Sequence, residues 1–457
     1  MKIIILGAGQ VGSSVAANLV SEANDITVID IDPKVLQSLS ERHDLRTVCG
    51  VASHPSVLAK AGANDADMIL AVTNSDETNM VACQVAYTLF HTPTKIARVR
   101  HTEYLSAGEL FAQDALPVDV LISPEQLVTE YIERLIGMPG ALQVLEFADG
   151  KAQMLALRVN GESPLIGQRI SAISSQFSSI EFRIVSIFRG VGGIIPDGTT
   201  LIERGDEIFV IGAPKDLRRL LKSFRLMEEP VKRVMIAGGG NIGTRLAHKL
   251  EPHFQVKLIE LAATQATRAS EELKHAIVLQ GDAADEDLLI EENIDNVDVF
   301  CALTNADEAN IISCMLAKRL GARKVMALIN RATYVDLVQS DVIDIAISPQ
   351  QATIGSLLAH IRRGDVVVVH SLRRGAAEAM EAVAHGDRES SHVVGRSIEE
   401  LALPAGVSIG AIVREDEVIM AHHDTVINAE DHVILLLADK RRVAEVERLF
   451  QVSATFL

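Results

Sequence analysis

MKIIILGAGQVGSSVA, residues 1–16, and VKRVMIAGGGNIGTRLA, residues 231–247, carry one glycine pattern at two places 231 positions apart. Each time an apolar run passes straight into G-x-G-x-x-G and then into a helix-compatible segment. In that context the first glycine permits a tight turn, the second lets the backbone approach a pyrophosphate, and the third lets a helix pack close to the strand. Gly7, Gly9 and Gly12 take these parts in the first copy, and Gly238, Gly240 and Gly243 in the second. A phosphate seated there meets free amides at a helix N-terminus, which adds Gln10 and Val11, and Asn241 and Ile242, to the expected contacts. Asp30 follows Gly7 by 23 residues and Glu260 follows Gly238 by 22. A carboxylate at that point accepts from ribose hydroxyls and repels a 2′-phosphate, favouring NAD-type or adenosine nucleotides over NADP.

The correspondence continues beyond the glycines. Gly50 meets Gly281, Thr73 in TNSDETNM meets Thr304 in TNADEANI, and Cys83 meets Cys314, all at the same spacing of 231. It then slips to 230 at Tyr104 and Tyr334 and to 225 at Ser123 and Ser348, as small loop differences after a common core would produce. Gly167 and Asp206 find partners in Gly395 and Asp431. The chain reads as a duplication.

Within the first half, strands are expected at MKIIIL, DITVID, DLRTVC, DMILAVT, KIARVR and PVDVLI, with helices beginning near Gln10, Pro33, Pro55 and Asp76. Alternation of this kind implies βαβ units and a parallel sheet covered on both faces. After the helix that ISPEQLVTEYIERLI begins, GMPGALQVLEF marks a boundary. Shorter strands follow at QMLALRVN, EFRIVSIF and DEIFVIG, with short helices near Gln168 and Pro214. The second half repeats the scheme, ending in DVVVVHS, VSIGAIVR and HVILLLA. The expected fold is α/β, with two Rossmann-like doubly wound parallel-sheet domains, each followed by a small α+β domain. The segments are 1–136, 137–228, 229–362 and 363–457, in keeping with the size at which single cores stop growing.

A formal net charge of −18 weighs against nucleic-acid binding and against an anionic leaflet, so work at a membrane calls for a protein partner with a basic face. No apolar run nears the about 20 residues that span a bilayer, and the expected location is cytoplasmic. Cys49, Cys83, Cys301 and Cys314 lack metal-ligand spacing and read as core residues.

The two copies differ where ligands sit in such sheets. At the end of the fifth strand ARVR supplies Arg98 and Arg100, able to grip a phosphate chain, where the second half has Leu328 and Asn330. After its glycine the second half has Asp282 where the first has Val51, so the adenosine-side contacts differ too. In TNSDETNM, Thr73 or Asp76 is expected to cap a helix. Thr73, Asn74, Glu77 and Asn79 are candidate ligand contacts, with Thr304 their counterpart in the second copy.

A dehydrogenase needs a second large domain and an acid or base near the nicotinamide. The domains that follow each nucleotide fold are too small to close a substrate cleft. His422, His423 and Asp424 read as an exposed polar turn rather than a metal site. No catalytic residues are expected, although an NAD-dependent oxidoreductase and a free-standing nucleotide sensor without a membrane partner are the rival classes.

GAGQVG with Asp30, GVAS where GDA is usual, TNSDETN, ARVR and a small domain behind them resemble an RCK domain pair, the regulators of potassium conductance. Two such pairs in one chain resemble the peripheral subunits of bacterial Trk potassium uptake systems. The resemblance covers essentially the whole chain. It implies binding of NAD(H) and of ATP or ADP in the larger domains. It further implies a homo-oligomeric, tetrameric ring docked beneath a TrkH/TrkG-type membrane potassium transporter on the inner face of the cell membrane. Its nucleotide contacts would be Gly7, Gly9, Gly12, Asp30, Thr73, Arg98 and Arg100, and in the second half Gly238, Gly240, Gly243, Glu260, Asp282 and Thr304.

Overall fold

A computed structural model describes residues 1–20, 24–112, 115–190, 192–331, 333–335, 343–361, 365–372 and 377–452. Residues 1–125 with 350–361 form one compact unit, and 126–349 with the remaining C-terminal residues form a second.

In the first unit, strands β1 (Lys2–Leu6), β2 (Asp25–Asp30), β3 (Arg46–Cys49), β4 (Met68–Ala71), β5 (Thr94–Arg98) and β6 (Val120–Ile122) make one sheet in the order β3-β2-β1-β4-β5-β6. Every pairing is parallel. The central strands are apolar on both faces because helices cover both, and Ile4, Leu6, Ile69, Ala71 and Ala97 lie in one buried core. Helices α1 (Gln10–Val20), α2 (Pro33–Arg42), α3 (Pro55–Ala61) and α4 (Asp76–Val85) begin where the sequence places them.

The cap of α4 corrects one expectation. Ser75, not Thr73 or Asp76, is the N-cap, its side chain accepting from the Thr78 N–H at 3.1 Å. Asp76 is 6% exposed and serves another purpose, accepting from the backbone N–H groups of Arg100 at 2.8 Å and His101 at 2.9 Å. The cysteines correct a second expectation. Cys83, Cys301 and Cys314 are buried, but Cys49 is exposed, because β3 is an edge strand with one face open.

In the second unit, β12 (Arg233–Ala237), β13 (Gln255–Glu260), β14 (Ile277–Gln280), β15 (Val299–Ala302), β16 (Lys324–Leu328) and β17 (Ile345–Ile347) repeat the same order, β14-β13-β12-β15-β16-β17. Met235, Ala237, Phe300, Ala302 and Ala327 fill a core equivalent to the first. The helix Pro349–Ile361 follows β17, yet its residues from Gln350 onward belong with the first unit. There Gln350 Nε2 donates to the Gln10 carbonyl at 3.1 Å and to Ser14 Oγ.

The two small sheets are antiparallel and five-stranded, with two more strands apiece than the sequence suggested. With β8 (Ala152–Arg158), β9 (Phe182–Arg189) and β11 (Glu207–Gly212) in the first, and β18 (Val366–Leu372), β20 (Val407–Arg414) and β22 (His432–Leu437) in the second, the orders are β10-β9-β11-β8-β7 and β18-β19-β22-β20-β21. Their new members are β7 (Ala141–Phe147) and β10 (Gly192–Ile194), then β19 (Ala377–Val383) and β21 (Glu417–Met420). Residues from both sheets, among them Phe147, Phe209, Ala411 and Leu436, share one buried core. Each sheet carries the same internal brace. Asp206, 1% exposed, takes Arg189 Nε and Nη2 at 2.9 Å each, and Asp431, 0% exposed, takes Arg414 at 2.8 and 2.7 Å.

Candidate nucleotide-binding site

Both glycine turns sit at the C-terminal edge of their sheet, where the strand order reverses between the first and fourth strands. Gly7 has φ +100° and Gly238 φ +109°, a left-handed turn that a side chain resists. Gly12 and Gly243 are demanded by contact, since a Cβ on either would stand 1.9 Å from the carbonyl oxygen of Gly7 or Gly238. The middle glycines are different. A Cβ on Gly9 or Gly240 meets nothing within 4 Å, and neither residue has a positive φ. Neither packing nor backbone geometry requires glycine there, but a ligand pressed against the turn would. The N–H groups of the first helical turn, around Gln10 and Val11 and around Asn241 and Ile242, have no partner within their helix. Open space, free donors and the positive end of a helix dipole fit a pyrophosphate.

The acids at the ends of β2 and β13 are tied to these turns. Asp30 Oδ2 accepts from the Ala8 N–H at 2.6 Å, and Glu260 Oε2 from the Gly239 N–H at 2.6 Å. Each also accepts from an N–H two residues on, Asp32 at 2.9 Å and Ala262 at 2.8 Å. Both carboxylates are thereby fixed beside the cradle, with lone pairs left for hydroxyl donors. Gly50 N donates to the Asp30 carbonyl and Gly281 N to that of Glu260, which sets Val51 and Asp282 next to those acids. Val51 is 41% exposed, and Asp282 spends one oxygen on the Ala284 N–H at 2.8 Å.

The far side of the first cradle is the turn after β4. A Cβ on Gly7 would lie 3.0 Å from Thr73 Cα, so turn and cradle touch. Thr73 is held by Asn79, 0% exposed, through its N–H at 3.0 Å and its hydroxyl at 2.7 Å. Asn79 also donates to the Arg98 carbonyl at 2.9 Å. It is therefore a brace, not the ligand contact the sequence suggested. Asn74 and Glu77 remain exposed at the rim.

Arg98 and Arg100 arrive from β5. Arg98 Nη2 donates to the Thr73 carbonyl at 2.9 Å and Arg100 Nη2 to that of Asn74, with Arg100 Nε 3.5 Å from Asp76. Burial, aided by the nearby charge of Arg100, lowers the affinity of Arg98 for its proton, and its buried Nε lacks a hydrogen-bond partner. Glu125 lies close enough to feel both cations. Its own burial nevertheless raises its pKa. Two guanidiniums at a strand end, occupied with backbone carbonyls, form a site that an anion can satisfy better.

The second copy keeps the brace without the arginines. Asn310, 0% exposed, accepts from the Thr304 N–H at 2.9 Å and its hydroxyl at 2.7 Å, and donates to the Leu328 carbonyl at 2.9 Å. Leu328 is 2% exposed, and Asn330 turns its side chain to Asp307 at 3.0 Å. Sequence reasoning missed the cation that does stand here, Arg331, because alignment to ARVR stops one residue short of it. Elsewhere, His422, His423 and Asp424 lie in an exposed turn as expected.

Two parallel sheets with glycine cradles, each followed by a small antiparallel domain, make a tandem fold of the RCK class. The fold matches the crystal structure of the GsuK RCK domain with a TM-score of 0.60 at 20% identity, over 98% of this chain and 94% of that one. The GsuK channel bound to NAD matches equally, TM-score 0.60 at 20% identity, over 98% and 79%. Family models agree and are more specific: TrkA-N domains match residues 3–124 and 234–349, and TrkA-C domains match 154–225 and 388–451. The Trk system potassium uptake protein TrkA of Halomonas elongata is 58% identical, and that of Vibrio alginolyticus 57%, each over 100% of both chains. The chain belongs to the TrkA family.

Proposed function

We propose that this chain is the nucleotide-sensing regulatory subunit of a Trk-type potassium uptake system. It binds NAD(H) and ATP or ADP at the strand ends of its two larger domains and performs no chemistry on them. The observation that carries this reading is the pair Gly9 and Gly240, glycines with open space above them and no backbone need to be glycine. The names of full-length relatives supply the physiological setting. The reading includes the four segments 1–136, 137–228, 229–362 and 363–457 and a homotetrameric ring. It also includes docking on a TrkH/TrkG-type transporter from the cytoplasmic side. Among the described residues no helix is long and apolar enough to cross a membrane, consistent with a peripheral role.

Control follows from differential affinity, because a ligand moves a conformational equilibrium only as far as it prefers one state. ATP and ADP differ by one phosphate, and the two guanidiniums of Arg98 and Arg100 at the end of β5 support its being read there. Co-purification with a polytopic Trk transporter, and binding of NADH and ATP without NADH consumption in the presence of candidate oxidants, test the reading. Oxidation of NADH at a steady rate, or failure to bind either nucleotide, overturns it.

A further inference from the structure

Arg331 is held at the rim of the second cradle. Asp307, 4% exposed, accepts from the backbone N–H groups of Asn330 at 2.9 Å and Arg331 at 2.8 Å, fixing where the chain leaves β16. From there Arg331 Nη1 donates to Glu308 Oε1 at 3.1 Å and to Tyr334 Oη at 2.8 Å. Its guanidinium carbon lies 5.1 Å from the centroid of the Tyr334 ring, and Tyr334 Oη donates to Glu308 at 3.2 Å. The three side chains hold one another, with Arg331 and Glu308 each 57% exposed. The first half has the same framework in Asp76, Glu77 and Tyr104, with His101 where Arg331 stands.

In a doubly wound sheet the acid after the second strand marks the adenosine side, the glycine turn takes the pyrophosphate, and whatever follows lies over the fourth and fifth strand ends. Glu260 sets that polarity here. In the first half the far side presents two guanidiniums placed on backbone carbonyls, suited to further phosphate. In the second half Leu328 is buried, and the rim presents a guanidinium already paired with a carboxylate. A paired cation gains little from one more phosphate. A carboxylate, a phenol and an ordered fork of donors do, however, match the hydroxyls and amide of a second nucleoside.

We propose that Arg331, held in place by Glu308 and Tyr334, is the specificity-determining residue of the second cradle, selecting a nicotinamide dinucleotide over a nucleoside di- or triphosphate. The inference rests on the reading of the glycine turns as nucleotide cradles.

The test uses the full-length chain with its first cradle closed by Gly9→Asp, a position with room for a side chain. NADH and ADP are each titrated by calorimetry. NADH is expected to bind at least about tenfold tighter than ADP, and Arg331→Ala to weaken NADH about tenfold while ADP stays within about twofold. Arg331→Lys, which keeps the charge but not the fork, is expected to fall between. Equal loss of both ligands, loss of neither, or ADP binding as tightly as NADH before the substitution overturns the proposal. If neither ligand binds the Gly9→Asp chain while both bind the unmodified one, and Gly240→Asp changes nothing, the second turn is no cradle and the underlying reading fails for that half.

Discussion

Arg98 Nη2 donates to the carbonyl oxygen of Thr73 at 2.9 Å, tying the end of the fifth strand to the turn after the fourth. The second half has no such bond, since Leu328 stands there, yet Asn310 still holds the same turn at Thr304. The turn therefore does not need its arginines.

Writing the residues of the second half into the first, as Arg98→Leu with Arg100→Asn, should leave the unfolding temperature within about 3 °C. ATP affinity should fall about 10- to 100-fold, because each charge-assisted hydrogen bond lost is worth about 1.5–3 kcal/mol. Thermal melts and calorimetric titration check both halves of the expectation. Unchanged ATP affinity would show that the arginines do not read phosphate.

The glycines of one cradle should separate into two kinds. Gly12→Ala forces a Cβ to 1.9 Å from the Gly7 carbonyl oxygen and should cost about 3 kcal/mol or more of stability. Gly9→Ala meets nothing and should change stability by less than about 1 kcal/mol, while weakening nucleotide binding. Denaturant unfolding without ligand, followed by titration with NADH, distinguishes these outcomes.

The strands and helices of both large sheets were legible because apolar runs, glycine turns and Pro or Asp helix starts all agree there. The small sheets were less so. β19 reads AEAMEAV, rich in helix-favouring Ala and Glu, yet Glu381 is 1% exposed. It is accommodated by His432 Nδ1 at 2.5 Å and the Ala148 N–H at 2.7 Å. Those partners lie 51 and 233 residues away, so no local pattern announces them. In the cradles, the glycines and Asp30 were readable from spacing alone. The bracing role of Asn79 was not, because it depends on a carbonyl of the neighbouring strand.

His370 should make stability depend on pH. Its Nε2 lies 2.9 Å from the Glu146 carbonyl and its ring packs edge-on to Phe147 at 5.0 Å. Burial pushes its pKa down to about 4. The unfolded chain, with an ordinary histidine, binds the proton first as pH falls. The contribution is thus full above about 6.5 and is lost as pH drops towards about 4, amounting to roughly 3 kcal/mol. His370→Gln should flatten that part of the stability profile, measured by urea unfolding between these limits. An unaltered slope would assign the pH dependence to other groups.

Thiol chemistry should single out one cysteine. Burial pushes Cys83 and Cys301 up to about 12, and Cys314 higher still, whereas Cys49 is exposed. A thiolate-selective reagent under native conditions should label Cys49 alone, and all four cysteines after unfolding. Peptide mapping of the labelled chain reads the result.

The most direct measurement is potassium flux into proteoliposomes that carry the Trk membrane transporter with this chain docked on it, in ATP and then in ADP. The unmodified chain should give two different flux levels. The Arg98→Leu, Arg100→Asn variant, still bound to the transporter, should give one level in both nucleotides. An identical nucleotide response from the variant, or no response from the unmodified chain, would contradict a sensor built on the first cradle.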